Sequence, residues 1–253
     1  MKHSDFLAPT SAESEDNWIS VSDLMAGLMI IFLFIAVAYM INVQNEKKSI
    51  QRIAVTYQKL QVNLYEDLKR EFKHDLNRWN AAIDRDRLSV RFLVSPEDED
   101  TFREPEVLFK VGSDTIENRF KIILIEFIPR YLKILRKNVY RDEIAEIRIE
   151  GHTSSEYKME RNRYKKYIKN MELSQDRARE VLRFILLEVP AIVSDSGIKP
   201  WLRQHITANG LSSSQLIITT NGTEDRIASR RVEFRVVTNA EKKIVQIIQE
   251  VED

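Results

Sequence analysis

The residue in the most unusual chemical setting in this sequence is Asp23, which precedes an uncharged apolar run from Leu24 to Ile41. These eighteen residues, at about 1.5 Å each in a helix, reach about 27 Å, which with Val21 to Asp23 is enough to cross a bilayer core. An ionised carboxylate inside a membrane costs at least about 2.5–3.5 kcal/mol, so such residues normally face a protein interior or a water-filled path. The spacing therefore predicts a single-span protein in which Asp23 carries protons or another cation.

Few other residues have types and spacing that suit catalysis or metal binding. There is no cysteine, the four histidines lack chelating spacing, and neither a Gly-x-Ser-x-Gly elbow nor a phosphate-binding glycine loop is present. Basic and acidic residues number 39 each, so no net charge indicates a nucleic-acid partner. We therefore predict no metal, no cofactor, no nucleic acid and no enzymatic activity; a cell-wall hydrolase would lack a catalytic set.

The apolar segment at residues 18–43 is predicted to be a retained transmembrane helix rather than a cleaved signal peptide. A signal peptide has a basic start and a shorter apolar run, whereas residues 1–17, predicted to be a cytoplasmic tail, carry four acids and one lysine. Trp18 and Tyr39 suit the two membrane interfaces. The positive-inside rule would place the domain after the span in the cytoplasm, because three basic residues follow it: Lys47, Lys48 and Arg52. Charge alone leaves the orientation open.

Residues 44–87 are predicted to form a helical stalk. From Ile50 to Ile83 apolar residues recur every three or four positions without an intervening Gly or Pro, which is a helical stripe with a spacing close to a coiled-coil seam. Two interpretations fit this stripe. It could continue the membrane helix as a parallel dimer stalk, which we favour, or it could pack on its own domain.

Residues 88–240 are predicted to form an α/β domain with helices covering one face of a mixed sheet. The pattern predicts a helix over 117–136, another over 174–187 with Ser174 as N-cap, and a C-terminal helix at 241–253. Strands are predicted at five places: 88–94, 107–111, 144–150, 206–211 and 231–237.

Four short strings in this domain are more specific than its periodicity. They are Phe109 to Ser113 (FKVGS), Ile149 to Thr153 (IEGHT), Asn170 to Ala178 (NMELSQDRA) and Ser229 to Glu233 (SRRVE). In this order they resemble the OmpA-like peptidoglycan-binding domain, and the resemblance covers about Val107 to Val237.

The resemblance implies a pocket for the carboxylates and amine of diaminopimelate in the peptide stem. Arg177 matches the family's arginine, and a guanidinium near a helix start suits bidentate carboxylate recognition. The other matching positions are Asn170, Leu173, Thr153 and Arg231. Ser154 departs from the family, which has an aspartate there, so the expected partner of the ligand's ammonium is missing.

The segment from Ser155 to Lys169 is longer than the family norm and rich in basic and aromatic residues. It predicts either a cationic, aromatic lip that binds an anionic polymer of the cell envelope, or a solvated helical extension, since Tyr164 and Ile168 have helical spacing.

The whole layout resembles MotB-like B subunits of proton- or sodium-driven stator motors, and among them the B proteins of Zorya anti-phage defence systems, as the Ser22 to Met25 string (SDLM) suggests. The resemblance implies an inner-membrane protein with a cytoplasmic N-terminus and a periplasmic domain. It also implies two B chains inside five multi-span A-type channel subunits, with peptidoglycan as the anchor. Two alternatives remain: a passive peptidoglycan-binding tether, in which Asp23 only orders a helix start, or a flagellar-type stator outside defence.

Overall fold

The described chain begins with one long helix. In the computed structural model, which describes residues 12–94, 108–110, 112–157 and 159–239, α1 runs over Ala12–Phe72. Its most apolar 18-residue window has a mean hydropathy of 2.7 and contains no buried residue. This helix is long and apolar enough to cross a membrane, as the sequence predicts.

The C-terminal end of α1 belongs to the α/β unit, which begins at Val55. Leu64, Leu68 and Phe72 are fully buried and are part of the hydrophobic core. Packing on its own domain, the second interpretation of the apolar stripe, is therefore confirmed for this part of the helix. The prediction that the helix reaches Ile83 is wrong: the helix ends at Phe72, and turns follow at residues 73–80.

In the part of the chain that the structure describes, the sheet has five strands in the order β1-β2-β5-β3-β4. Their bounds are β1 Ala81–Asp84, β2 Ser89–Leu93, β3 Ile144–His152, β4 Ile206–Gly210 and β5 Arg231–Thr238. The β3–β4 pair is parallel and the other pairs are antiparallel, so the predicted mixed sheet is confirmed. The prediction of a strand at 107–111 is corrected, because Phe109 forms only an isolated bridge to Ile116. Residues 107 and 111 lie outside the described residues.

Six helices are described after α1. They are α2 Asn118–Leu135, α3 Asn138–Arg141, α4 Arg163–Leu187, α5 Pro190–Ser194, α6 Ile198–His205 and α7 Arg226–Ser229. The C-terminal helix predicted at 241–253 lies outside the described residues.

Helix α4 begins eleven residues before the predicted start. Asn162 is the N-cap, since its Oδ1 accepts hydrogen bonds from the backbone N–H groups of Tyr164 and Lys165 at 3.0 and 3.1 Å. The predicted N-cap, Ser174, is wrong: it lies buried inside the helix, and its hydroxyl donates to the carbonyl of Met171. The helical extension is thus confirmed from Arg163 onward.

An aromatic cluster joins the helices to the sheet. The Phe127 ring of α2 lies with its centroid 5.1 Å from that of Phe72, 5.0 Å from that of Phe92 and 5.2 Å from that of Phe234. All four side chains are fully buried. Contacts of this kind add about 0.5–1.5 kcal/mol each beyond area burial, so α1, α2, β2 and β5 are fixed to one another here.

Candidate functional site

Asp23 lies on the exposed surface of the apolar part of α1. Its neighbour Ser22 uses its own hydroxyl within the helix, donating to the carbonyl of Trp18 at 2.9 Å. No hydrogen bond or ion pair joins Asp23 to another described residue. A carboxylate on an otherwise apolar helix surface is accessible to the residues of any protein that surrounds this helix.

The second candidate site lies where α4 passes over the ends of β3 and β4. A Cβ built at Gly151 would lie 2.3 Å from the carbonyl oxygen of Ser174, and one at Gly210 would lie 2.4 Å from the backbone nitrogen of Gln175. Both positions therefore require glycine for the helix to approach the sheet so closely. This approach brings the first half of α4 against the loop that follows β3.

Thr153, Ser154 and Asn170 meet in that loop and are nearly fully buried. The Asn170 amide donates to the carbonyls of Ser154 and Glu156 at 3.1 and 3.3 Å, which ties the loop to α4. The backbone N–H of Thr153 donates to the carbonyl of Ser212 at 2.9 Å. The half-buried Leu173 lies between Asn170 and Arg177 on the same helix. The structure therefore brings these predicted residues together. We call the region that they form with Arg177 of α4 the rim of the candidate binding site.

Arg177 presents a guanidinium that has no carboxylate partner among the described residues. The group lies 4.9 Å from the Phe109 ring centroid, and its Nε donates to the carbonyl of Ser113 at 2.9 Å. Burial, and then the nearby charge of Arg230, lower the pKa of Arg177 to about 10. The side chain is still cationic at neutral pH, so a desolvated cation beside a second arginine favours binding of an anion.

Arg231 has a different environment from the rest of the predicted pocket. It is 3% exposed, its Nε donates to Glu233 Oε1 at 2.6 Å, and one Nη donates to the carbonyls of Gln215 and Ser229. The Nε and one Nη of the guanidinium are thus bound within the domain. A role of Arg231 in ligand binding stays a prediction, and its contacts here are with the protein.

Arg231 is part of a buried charge network that sequence reasoning missed. Glu150 pairs with Arg87 at 2.7 Å, while Glu233 binds Ser89 as well as Arg231. Burial opposes ionisation of Glu233, but Arg231 and its other positive neighbours hold its pKa below the usual range. The sequence signal for this network was the alternation of polar residues along β3 and β5. It places Glu150, Arg231 and Glu233 on the same face of the sheet.

Glu150, His152 and Glu233 offer ligand atoms that all lie within 4.8 Å of one another. Three such groups could in principle hold a metal ion. Their carboxylates are, however, already bound by Arg87 and Arg231, and these positive charges oppose a cation. The arrangement therefore suits a self-neutralised network that orders the sheet face better than a metal centre.

The start of α4 carries a cluster of unpaired cations. Arg161, Arg163, Lys165 and Lys166 make no ion pair with a described residue. Tyr164 is 80% exposed and Met159 is 91% exposed beside them. The predicted cationic and aromatic composition is thus displayed on a helix and the turn before it.

The fold and the two sites define a class of protein in which the described residues form one membrane-length helix with an exposed acid, followed by an α/β domain that presents the Arg177 guanidinium. Over 242 residues the chain is 43% identical to the Zorya protein ZorB of Escherichia coli, and the match covers 96% of each chain. The chain therefore belongs to the ZorB family. This confirms the resemblance to Zorya B proteins that the sequence indicated. No family model matches the chain.

Several solved structures are also similar to the chain. A MotB-like protein from Desulfovibrio vulgaris is 21% identical, covers 71% of this chain and 93% of its own, and has a TM-score of 0.45. The cell wall anchor of the T6SS from Pseudomonas aeruginosa is 24% identical, with coverages of 68% and 96% and a TM-score of 0.41. The periplasmic domain of Helicobacter pylori MotB is 19% identical, with coverages of 64% and 84% and a TM-score of 0.39.

Proposed function

We propose that this protein is the B subunit of an ion-driven membrane motor that acts in anti-phage defence. The observation that carries the proposal is the exposed carboxylate of Asp23 on the apolar surface of α1, in a chain of the ZorB family. The layout resembles MotB-like stator subunits, in which such an acid carries a proton or sodium ion. In this proposal the protein crosses the inner membrane once, with its N-terminus in the cytoplasm and its domain in the periplasm.

In the motor, the carboxyl group of Asp23 takes a cation from one side of the membrane and releases it to the other side. Moving one charge across the membrane yields about 2.3 kcal/mol per 100 mV. By resemblance, two B chains stand inside five A-type subunits, and ion passage turns the A ring around them.

The periplasmic domain holds the B dimer still by binding peptidoglycan. Arg177 binds a carboxylate of the peptide stem, because its guanidinium is half-buried, stacked on Phe109 and without an acidic partner in the described chain. Asn170, Leu173, Thr153 and Ser154 shape the same rim. Arg231 orders the strand end through its hydrogen bond to Glu233, and its predicted contact with the ligand stays a prediction.

The motor function is tested by replacing Asp23 with Asn, which keeps the size of the side chain and removes its charge. Phage protection and ion flux into proteoliposomes with the A-type partner should both be lost, while expression and membrane insertion are unchanged. Glu46→Gln, a matched change on the same helix beyond the apolar run, should leave both intact. If Asp23→Asn keeps flux and protection, the chain is a passive tether and the motor proposal is wrong.

The anchor is tested by Arg177→Ala in the full-length chain. Sedimentation with isolated sacculi should fall by a factor of ten or more, about the worth of a charge-assisted bidentate contact. Arg183→Ala on the same helix removes a cation that is already paired with Glu180 and Glu188, and it should bind normally. Equal binding by Arg177→Ala and wild type would instead assign the anchor to the basic start of α4.

A further inference from the structure

The loop that follows β3 is held on one side by α4 and on the other by a carboxylate from the chain between β4 and β5. Glu224 Oε1 accepts a hydrogen bond from the backbone N–H of Ser155 at 2.8 Å, and Glu224 Oε2 accepts from the Ser155 hydroxyl. From the α4 side, Asn170 binds the carbonyl of Ser154. The Glu224 carboxylate is therefore fixed one residue away from Ser154.

The charge of Glu224 is not neutralised by the described protein. The nearest candidate along the chain, Arg226, is paired with Glu156 at 2.8 Å, and Glu224 makes no ion pair with a described residue. A carboxylate can accept about four hydrogen bonds, and Ser155 uses two of them. Because Glu224 is only half-buried, its remaining acceptor sites are available to a ligand.

The rim thus carries charges of opposite sign. Arg177 and the nearby Arg230 supply the positive end, and Glu224 supplies a negative charge beside the loop that Asn170 clamps. Asn170 and Arg177 are separated by two helical turns, about 10 Å along the axis of α4. A ligand that bears both a carboxylate and a primary ammonium would match this distribution better than a purely anionic polymer.

We propose that Glu224 is the specificity-determining residue that binds the ammonium group of the peptide stem, replacing the carboxylate that is missing at Ser154. This inference rests on the proposed anchoring of the domain to peptidoglycan. It predicts that the protein discriminates peptide stems with a free amine from those in which the amine is blocked.

The test compares two kinds of isolated sacculi, one native and one whose primary amines have been acetylated. The full-length chain in detergent is sedimented with each, as wild type and as Glu224→Gln. Glutamine keeps an acceptor for the Ser155 N–H and can donate to the Ser155 hydroxyl, so the loop stays tied while the charge is removed. Equal thermal midpoints of the two proteins verify that the fold is kept.

We expect Glu224→Gln to bind native sacculi about tenfold more weakly than wild type, the order of one charge-assisted hydrogen bond. On acetylated sacculi the two proteins should bind equally. Glu188→Gln, which removes a surface charge at the far end of α4, should match wild type on both. Asp114→Asn tests a second candidate, the carboxylate whose charge acts on Arg177.

Three results would overturn the inference. Glu224→Gln could bind native sacculi like wild type, it could lose the same factor on native and acetylated sacculi, or Asp114→Asn could be the variant that shows the amine-dependent loss. In each of these cases wild type still binds and Arg177→Ala still fails, so the anchor itself stands. If wild type does not bind native sacculi at all, the proposed anchor and this inference fall together.

Discussion

Replacing Gly151 with alanine should both destabilise the domain and weaken its binding to sacculi. The added Cβ would lie 2.3 Å from the Ser174 carbonyl oxygen, more than an ångström short of the 3.4 Å at which ordinary contact begins. The atom in the way is backbone in the middle of α4, so it cannot rotate aside; helix and strand must separate. The helix carries Asn170 and Arg177, and their positions at the rim would shift with it.

The size of this effect follows from the cost of overpacking, which is typically about 1–3 kcal/mol. For a folded unit of 150–250 residues each kcal/mol lowers Tm by about 2–4 °C, so the expected fall is about 2–12 °C. Differential scanning calorimetry of the full-length protein in detergent measures it, and sedimentation with sacculi measures the change at the rim.

The matched control is Gly197→Ala in the same domain. A Cβ there would meet only the Oδ1 atom of Asp195 at 3.3 Å, the end of a side chain that can move, so Tm should change by less than about 2 °C. If Gly151→Ala keeps the wild-type Tm and sacculus binding, α4 does not press on β3 as described. The account of how the rim is positioned would then be wrong.

Three further predictions concern stability. Tyr131→Phe should raise the free energy of unfolding by up to about 1 kcal/mol in urea titrations, because the fully buried hydroxyl has no hydrogen-bond partner among the described residues; a loss of stability would indicate a partner for that hydroxyl. Arg130→Ala should lower it by about 1–2 kcal/mol, since the half-exposed guanidinium binds Glu71 and Asp75 and lies 4.9 Å from the Phe72 ring centroid; an unchanged urea midpoint would show that these contacts contribute nothing. Burial lowers the pKa of His152, so the unfolded chain binds a proton that the folded chain does not, and stability should fall as pH decreases below about 6.5. The urea midpoint of wild type should therefore drop between pH 7 and 5 more than that of His152→Gln, and parallel pH profiles would contradict this.

Much of the fold was predictable because it depends on local periodicity. The apolar run after Asp23 predicts the membrane-length helix, and the polar–apolar alternation of β5 gives its strand. The stripe through Leu64, Leu68 and Phe72 predicts a helix, but an apolar stripe has the same spacing whether it packs on a second chain or on its own sheet. Only the packed structure assigns these residues to the core of their own domain.

The missed elements were those whose local signal is weak or misleading. β1 has only four residues, and its composition does not predict a strand. It is recognised as a strand only by its pairing with β2. Ser174 has the chemistry of an N-cap, yet Asn162 caps the helix, because the basic segment before Ser174 continues the α4 pattern. The sequence around Phe109 predicts a strand, whereas in the structure the Phe109 ring packs against the Arg177 guanidinium.

By itself the sequence determined the membrane-length helix with its acid and the order of the main helices and strands. It also determined the residue types at the rim, including Ser154 where the resembled family has an aspartate. These depend on residues close together in the chain. Only the tertiary structure decided which charges are satisfied. Arg231 is paired with Glu233, whereas Arg177 has no ion-pair partner among the described residues. Glu224 binds Ser155, the neighbour of Ser154, although 69 residues separate the two in sequence. Charge pairing depends on distances in space between residues that are far apart in the chain, and these distances exist only once the chain has folded.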